Sequence, residues 1–348
     1  MTQPSQKASR LKNKIGDWFP EFNKEDQWRW ADYIEFLCLV NRDSQISASD
    51  FVDRWEASKL GKGKISKVSL NDYEEDEEEE EDTANNEGDL VFKGRGKLTN
   101  YSEQYFDHIK YRSIEFGEYY PFVLSSTGNS ITLAGQLSAH NRVYLFLMFC
   151  SLLGVMRDYQ PQLTSDFESF CFALFENLFP SGGQKYLFAA GNTSGASLSR
   201  ATLSEKIKIM SEHIKESVRD NNIPPYNKGD GGLDIYGFTP LGDDLSHFPI
   251  YFAQCACTAE WQLKQYTATA SHWRPHISLS VPIIPIIFVP FSFRSSSGEW
   301  FQAYDIKETV LIDRKRLFYL FSNKIDTFDE IVSKDVIDEI LTVKDDIV

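Results

Sequence analysis

The chain has 348 residues, of which 42% are hydrophobic and 14% aromatic, and a formal net charge of −15. This leaves room for two domains of ordinary size and excludes an intrinsically disordered protein. The charge is uneven: the run Asp72–Asp82 holds ten acids and no base, and the remainder carries 41 acids against 36 bases. Overall acidity therefore does not exclude a nucleic-acid ligand, for which a local basic patch decides.

In chain order, residues 1 to about 16 are polar and basic and read as a loose tail with no signal-peptide core. From Trp18 to Leu60 the apolar spacing is helical, with Ser47 and Ser49 as caps before a second helix from Asp50. An acidic, solvated linker follows at about 61–95. Tyr101–Tyr120 is rich in aromatics, and Asn141–Met156 is apolar enough for a buried helix. Residues 1–160 thus read as a mostly helical accessory or partner domain.

From residue 161 the pattern changes to an α/β domain, with strands alternating with helices. Asp166–Phe179 has the apolar series of one helix face, Phe167, Phe170, Cys171, Leu174 and Leu178, ended by Pro180-Ser181-Gly182-Gly183. A helix at about Ser197–Arg219 carries Lys206, Lys208 and Lys215 on a basic side. A glycine-rich turn, Lys228-Gly229-Asp230-Gly231-Gly232, leads into a strand containing Asp234, and Phe248–Cys257 forms the next strand. A helix from Thr258 to about Ala268 follows, then strands at Ile277–Val289 and Trp300–Ile306, and a helix starting at Arg314-Lys315-Arg316.

Five cysteines (Cys38, Cys150, Cys171, Cys255 and Cys257) without a framework spacing suggest reduced, buried thiols in a cytoplasmic protein. Val281–Phe291, the longest apolar run, is short for a bilayer span and contains three prolines, so no membrane partner is expected. His272 and His276 are separated by Pro275, which breaks the helix that would align them as metal ligands. Gly191-Asn192-Thr193-Ser194-Gly195 lacks nucleophile-elbow spacing, and no P-loop is recognisable.

Three polar residues stand out against apolar surroundings. On the Asp166–Phe179 helix, Glu168 lies roughly 80° from the centre of the apolar face, at a sheet-facing edge, whereas Glu176 lies roughly 160° away. Asp234 and Gln254 each sit in an otherwise apolar strand, where a buried polar group needs a partner. Carboxylate and amide oxygens at close range are what a hard divalent cation takes, with waters completing its shell.

The series Phe167-Glu168, Gly229-Asp230-Gly231-Gly232-Leu233-Asp234 and Gln254 resembles the PD-(D/E)XK nuclease superfamily, most closely its Mrr-like restriction-endonuclease branch. The resemblance covers about residues 160–325. It implies a restriction-endonuclease-like mixed sheet core flanked by helices over residues 161–348. It also implies a Mg²⁺- or Mn²⁺-dependent deoxyribonuclease in prokaryotic restriction or anti-phage defence. By resemblance Glu168, Asp234, Gln254 and the carbonyl of Cys255 gather the metal, while Asp230 remains a turn residue. The family places a lysine two positions after the Glu or Gln, and here that position is Ala256. Lys264 on the next helix and Lys228 are the substitutes, and a catalytically inactive DNA-binding or scaffold subunit is the alternative. Lys206, Lys208, Lys215, Lys228, Arg314, Lys315 and Arg316 are the candidate phosphate contacts. DNA, a separate ATPase or sensor subunit and a second copy of the chain are the expected partners.

Overall fold

A computed structural model describes residues 5–61, 87–188, 201–219, 223–224, 226–227, 229–258, 260–322 and 334–346. The acidic run Asp72–Asp82 and Lys228 lie outside the described residues.

The N-terminal region is mostly helical, with a small sheet. Helix α1 (Gln6–Asp17) replaces the expected loose tail: Ser5 caps it, and Ala8, Leu11 and Ile15 are buried. Their i, i+3, i+7 spacing makes one apolar stripe on an otherwise polar helix. Then come α2 (Gln27–Val40), β1 (Gln45–Ser47), α3 (Ala48–Gly61) and α4 (Glu87–Phe116), so helix begins inside the expected linker. Strands β2 (Phe122–Leu124) and β3 (Ser130–Leu133) join β1 in an antiparallel sheet, β1-β3-β2. Helix α5 (Ala139–Ser151) starts with a reciprocal Ser138/Asn141 capping box and is buried along nearly its whole length.

The second region is a mixed five-stranded sheet with helices on both faces. It comprises α6 (Gln160–Phe175), β4 (Gln184–Leu187), α7 (Leu203–His213), β5 (Ser217–Val218), β6 (Ile235–Phe238) and β7 (Ile250–Cys255). After them come α8 (Trp261–Lys264), α9 (Ala270–Trp273), β8 (Ile277–Ser278), β9 (Ile283–Phe288), β10 (Val310–Ile312), α10 (Arg314–Phe321) and α11 (Lys334–Thr342). The sheet order is β10-β9-β7-β6-β4, parallel from β10 to β7 and antiparallel from β7 to β4.

Three expected elements differ. Among the described residues the basic helix runs over Leu203–His213, because Ile214 ends it and Lys215 adopts φ 55°, while residues 197–200 of the expected span lie outside the described residues. Ile277–Val289 is two strands rather than one, interrupted around Pro282. Trp300–Ile306 is not a strand: Trp300 makes an isolated bridge to Arg294, and Ala303–Asp305 is a 3-10 turn.

Period-2 alternation divides the sheet between two cores. Tyr251, Ala253, Cys255 and Cys257 of the β7 segment pack with Ile235, Ile286 and Phe288 against α6, in a cluster that runs on into α1, α2, α4, α5 and α11. Ile250 and Phe252 face the other way, against Tyr236, Leu203, Ile207, Met210 and Trp273. The cysteines are all free and buried. Among the described residues no helix is long and apolar enough to cross a membrane.

A buried ionic network ties the two regions together. Asp32 of α2 accepts from Arg112 of α4 at 2.7 Å, from Arg314 of α10 at 2.8 and 3.1 Å, and from Ser151 at 2.6 Å. Arg112 also donates to Glu35 at 3.0 Å, and Tyr120 and Tyr144 donate to the same carboxylate. Asp32, Glu35, Arg112 and Arg314 are at most 1% exposed. Removing one partner of such a network leaves a charge buried without compensation, which costs about 3–5 kcal/mol. Asp32→Ala should therefore lower unfolding stability by about that amount in urea titrations; a loss under about 1 kcal/mol, the range of an exposed pair, would show that the network contributes little.

Candidate functional site

The β6–β7 ladder ends at Ile235↔Ala253, and the site lies where the two strands part. The next position brings Asp234 opposite Gln254. With the ladder ended, the Cys255 N–H takes a side chain instead: it donates to Asp234 Oδ2 at 2.6 Å. Asp234 is 4% exposed, and this is its one hydrogen bonded side-chain contact among the described residues.

The loop before Asp234 is shaped by its glycines. Gly231 and Gly232 have φ of 62° and 78°, and a Cβ on Gly232 would come within 2.6 Å of Thr267. Only glycine combines that backbone with that approach. Asp230 Oδ1 accepts from Gly232 N–H at 2.7 Å, His272 Nε2–H donates to the Gly231 carbonyl at 2.8 Å, and Lys206 Nζ donates to the Gly229 carbonyl at 3.2 Å. Thr267, held against the loop, donates to the Lys264 carbonyl at 2.8 Å and to Gln254 Oε1 at 3.3 Å. Gln254 Nε2 in turn donates to the Cys255 carbonyl at 3.3 Å.

A cavity of about 390 Å³ opens at this point. Glu168, Asp234, Gln254, Cys255 and Lys264 all line it, while Lys228, the other lysine named above, lies outside the described residues. They arrive from four segments: α6, the turn into β6, the end of β7 and α8. Asp230, Gly232 and Thr267 line it as well, together with Leu153, Gln160 and Thr164 from the α5–α6 side.

The charges inside are crowded. Burial, reinforced by Asp230, pushes Glu168 up to about 6, with Lys264 pulling the other way. Burial and then Glu168 raise Asp234 well above the ordinary carboxylate range, against the Cys255 N–H and Lys264. Asp230 is thus more than a turn residue, because its charge bears on both other acids. Desolvating a carboxylate costs several kcal/mol, while one hydrogen bond to a charged group returns about 1.5–3. The protein leaves the difference uncompensated at Asp234.

That imbalance fits a hard divalent cation, which would neutralise the clustered carboxylates and accept the amide and carbonyl oxygens at the rim. Among the described residues no three His, Cys, Asp or Glu side chains converge tightly enough to cage a metal by themselves. A Mg²⁺-type ion requires less, since it keeps several waters and takes one or two carboxylates. Ala256, where the resemblance leads one to expect a lysine, is fully buried beside Trp261 and Ile287 and does not line the cavity. Among the described residues that line the cavity, Lys264 is the cation.

The expected phosphate contacts divide differently. Lys206 is fully buried beneath the glycine turn, its ammonium also 5.9 Å from the Phe188 ring, so it shapes the loop rather than meeting solvent. Arg314 is fully buried in the Asp32 network, and Lys315 pairs with Glu115. Lys206 and Arg314 share one cause: a partner distant in sequence turns a basic residue inward. Lys215 pairs with Asp244 at 3.5 Å, Arg316 stacks 4.8 Å over Trp300, and Lys208 is exposed.

Sequence reasoning missed Asp230, Thr267, Gln160 and Thr164. Gln160 and Thr164 precede Glu168 by eight and four residues, one stripe of α6, and that spacing was the available signal. Thr267 carried none, since its role depends on the glycine turn packing against it. Comparisons of the chain with protein-family models, with curated proteins and with solved structures found no match.

Because Glu168 titrates near 6 in the fold against an ordinary 4.5, its ionisation opposes folding. The favourable contribution is complete below pH 4.5 and is lost as pH rises through 6. Glu168→Gln should therefore stabilise the metal-free protein by about 1–2 kcal/mol at neutral pH. The gain should vanish at acid pH in urea titrations with chelator; a gain of equal size there would point to packing instead of charge.

Proposed function

We propose that the chain is a metal-dependent DNA endonuclease of the PD-(D/E)XK type, Mrr-like branch, acting in prokaryotic restriction or anti-phage defence. The observation that carries this reading is the meeting of Glu168, Asp234, Gln254 and Lys264 in one cavity, from segments spread over 97 positions of chain. Lys264 in that lining supports an active enzyme despite Ala256.

Asp234 and Glu168, with Gln254 Oε1 and the Cys255 carbonyl, would hold Mg²⁺ or Mn²⁺. When bound, such an ion polarises a phosphodiester and lowers the pKa of a water. The protein's own groups do the rest. The Cys255 N–H fixes one Asp234 oxygen, leaving the other to bind. Lys264 orients the attacking water and offsets charge on the phosphate. Thr267 holds Gln254 and the end of α8 in a fixed relation, and the desolvated walls strengthen each of these charges. DNA is the partner the proposal requires, and an ATPase or sensor subunit acting in trans is one it accommodates.

The second reading, a DNA-binding subunit without activity, is favoured by one observation: the burial of Ala256 where the family places its lysine. Plasmid DNA incubated with Mg²⁺ or Mn²⁺ separates the two. Wild type should nick or linearise it, Asp234→Ala should fall to background, and Lys264→Ala should lose about 10²-fold or more. Cleavage that survives Asp234→Ala would remove the site. A wild type that binds DNA and leaves it intact would favour the second reading.

A further inference from the structure

The large cavity extends well past the groups that would hold a cation. Its volume of about 390 Å³ falls in the range of pockets that enclose small organic ligands, about 300–1,000 Å³. Gln160, Thr164 and Glu168 of α6 all line it, and their four-residue spacing makes one stripe of the helix. At 1.5 Å per residue, Gln160 stands about 12 Å along the helix from Glu168. The charged groups gather at the Glu168 end, where Asp230, Asp234 and Lys264 bear on one another.

The Gln160 end is chemically different. From the α5–α6 side the lining is Leu153, Gln160, Thr164 and Phe167, and Cys257 and Thr258 continue it beyond β7. None of these six side chains is a cation, so this wall is not built to hold a phosphate. Leu153, Phe167 and Cys257 are buried and apolar. The Gln160 carboxamide brings two donors and an acceptor, and the Thr258 hydroxyl brings one donor and an acceptor. Thr164 Oγ1 donates to the Gln160 and Pro161 carbonyls at 2.9 and 3.2 Å, which leaves its lone pairs to accept from a ligand. Neutral donors and acceptors beside an apolar surface are how proteins read the edge of a base taken out of its stack.

We propose that this wall receives an unpaired base next to the cut phosphate, with Leu153 and Phe167 against its face and Gln160, Thr164 and Thr258 on its edge. The assignment rests on the nuclease reading of the cavity and names its substrate class: a single strand of DNA, in preference to an intact duplex. A paired base would first have to leave its stack, at a cost that an unpaired base does not bear. Gln160 is then a specificity-determining residue, meeting the base and not the reacting atoms.

The test is fluorescence anisotropy in chelator, with a short labelled single strand and the duplex of the same sequence, and with urea midpoints confirming that each variant is folded. Wild type should bind the single strand about tenfold or more tightly than the duplex. Gln160→Ala should weaken single-strand binding about three- to tenfold and leave its salt dependence unchanged, because no charge is removed. Thr258→Val repeats the test from a second segment. Products cut from a random single-stranded library in Mg²⁺ should show unequal base frequencies beside the cut in wild type, and more even ones in Gln160→Ala. Equal affinity of wild type for the two DNAs overturns the assignment. A Gln160→Ala variant that binds the single strand and chooses its cut sites as wild type does also overturns it. If cleavage still depends on Asp234 in either case, the nuclease reading stands and the substrate assignment alone falls. If wild type binds neither DNA, both fall.

Discussion

The Cys255 N–H to Asp234 bond, 2.6 Å long at the fork of β6 and β7, is the contact from which the candidate site is built. It replaces a backbone pair with a carboxylate at the point where the sheet opens. It fixes one oxygen of Asp234 and leaves the residue largely desolvated, with Glu168 and Asp230 as like-charged neighbours. Two favourable terms oppose this: one charged hydrogen bond, about 1.5–3 kcal/mol, and the nearby ammonium of Lys264. Both are outweighed, since the Asp234 carboxyl is held well above its ordinary range. A fold that keeps such an arrangement keeps local instability at a point where strongly perturbed carboxylates gather.

The surroundings make that arrangement rigid. Gly232 permits Thr267 to approach, Thr267 holds Gln254, and Gln254 holds the Cys255 carbonyl. The first two links join different segments, so the loop, β7 and the end of α8 are positioned as one unit. On the opposite side, α6 is seated by its apolar face in the large cluster shared with the N-terminal helices. The Asp32 network fixes α2 and α4 against α10. Breaking such a buried pair costs far more than losing an exposed one, because a charge is left buried without compensation.

Much of the candidate site was legible in the sequence because its residues break a local pattern. Asp234 and Gln254 interrupt apolar strands, and Glu168 sits at the margin of an apolar helix face; each is a polar group in a place where burial is costly. Lys264 was legible only through the resemblance to that nuclease superfamily and the departure from it at Ala256. What could not be read depends on contacts between distant segments. Arg314 looked like a surface cation because its partner, Asp32, is 282 positions away. Lys206 sits in a basic helix, yet the turn that accepts its hydrogen bond comes 23 positions later. Strands of two to four residues, such as β4, β5 and β8, are too short for period-2 alternation to register. The stripe of Ala8, Leu11 and Ile15 was visible, but the basic residues around it made the segment read as a tail.

The central claim is that the carboxylates at the β6–β7 fork gather a divalent cation, and Mn²⁺ binding followed by electron paramagnetic resonance against pH tests it most directly. The account predicts saturable binding that strengthens as pH rises through about 6, where Glu168 loses its proton, and that is lost in Asp234→Asn. Absence of saturable binding at neutral pH, or equal binding by Asp234→Asn, would contradict it.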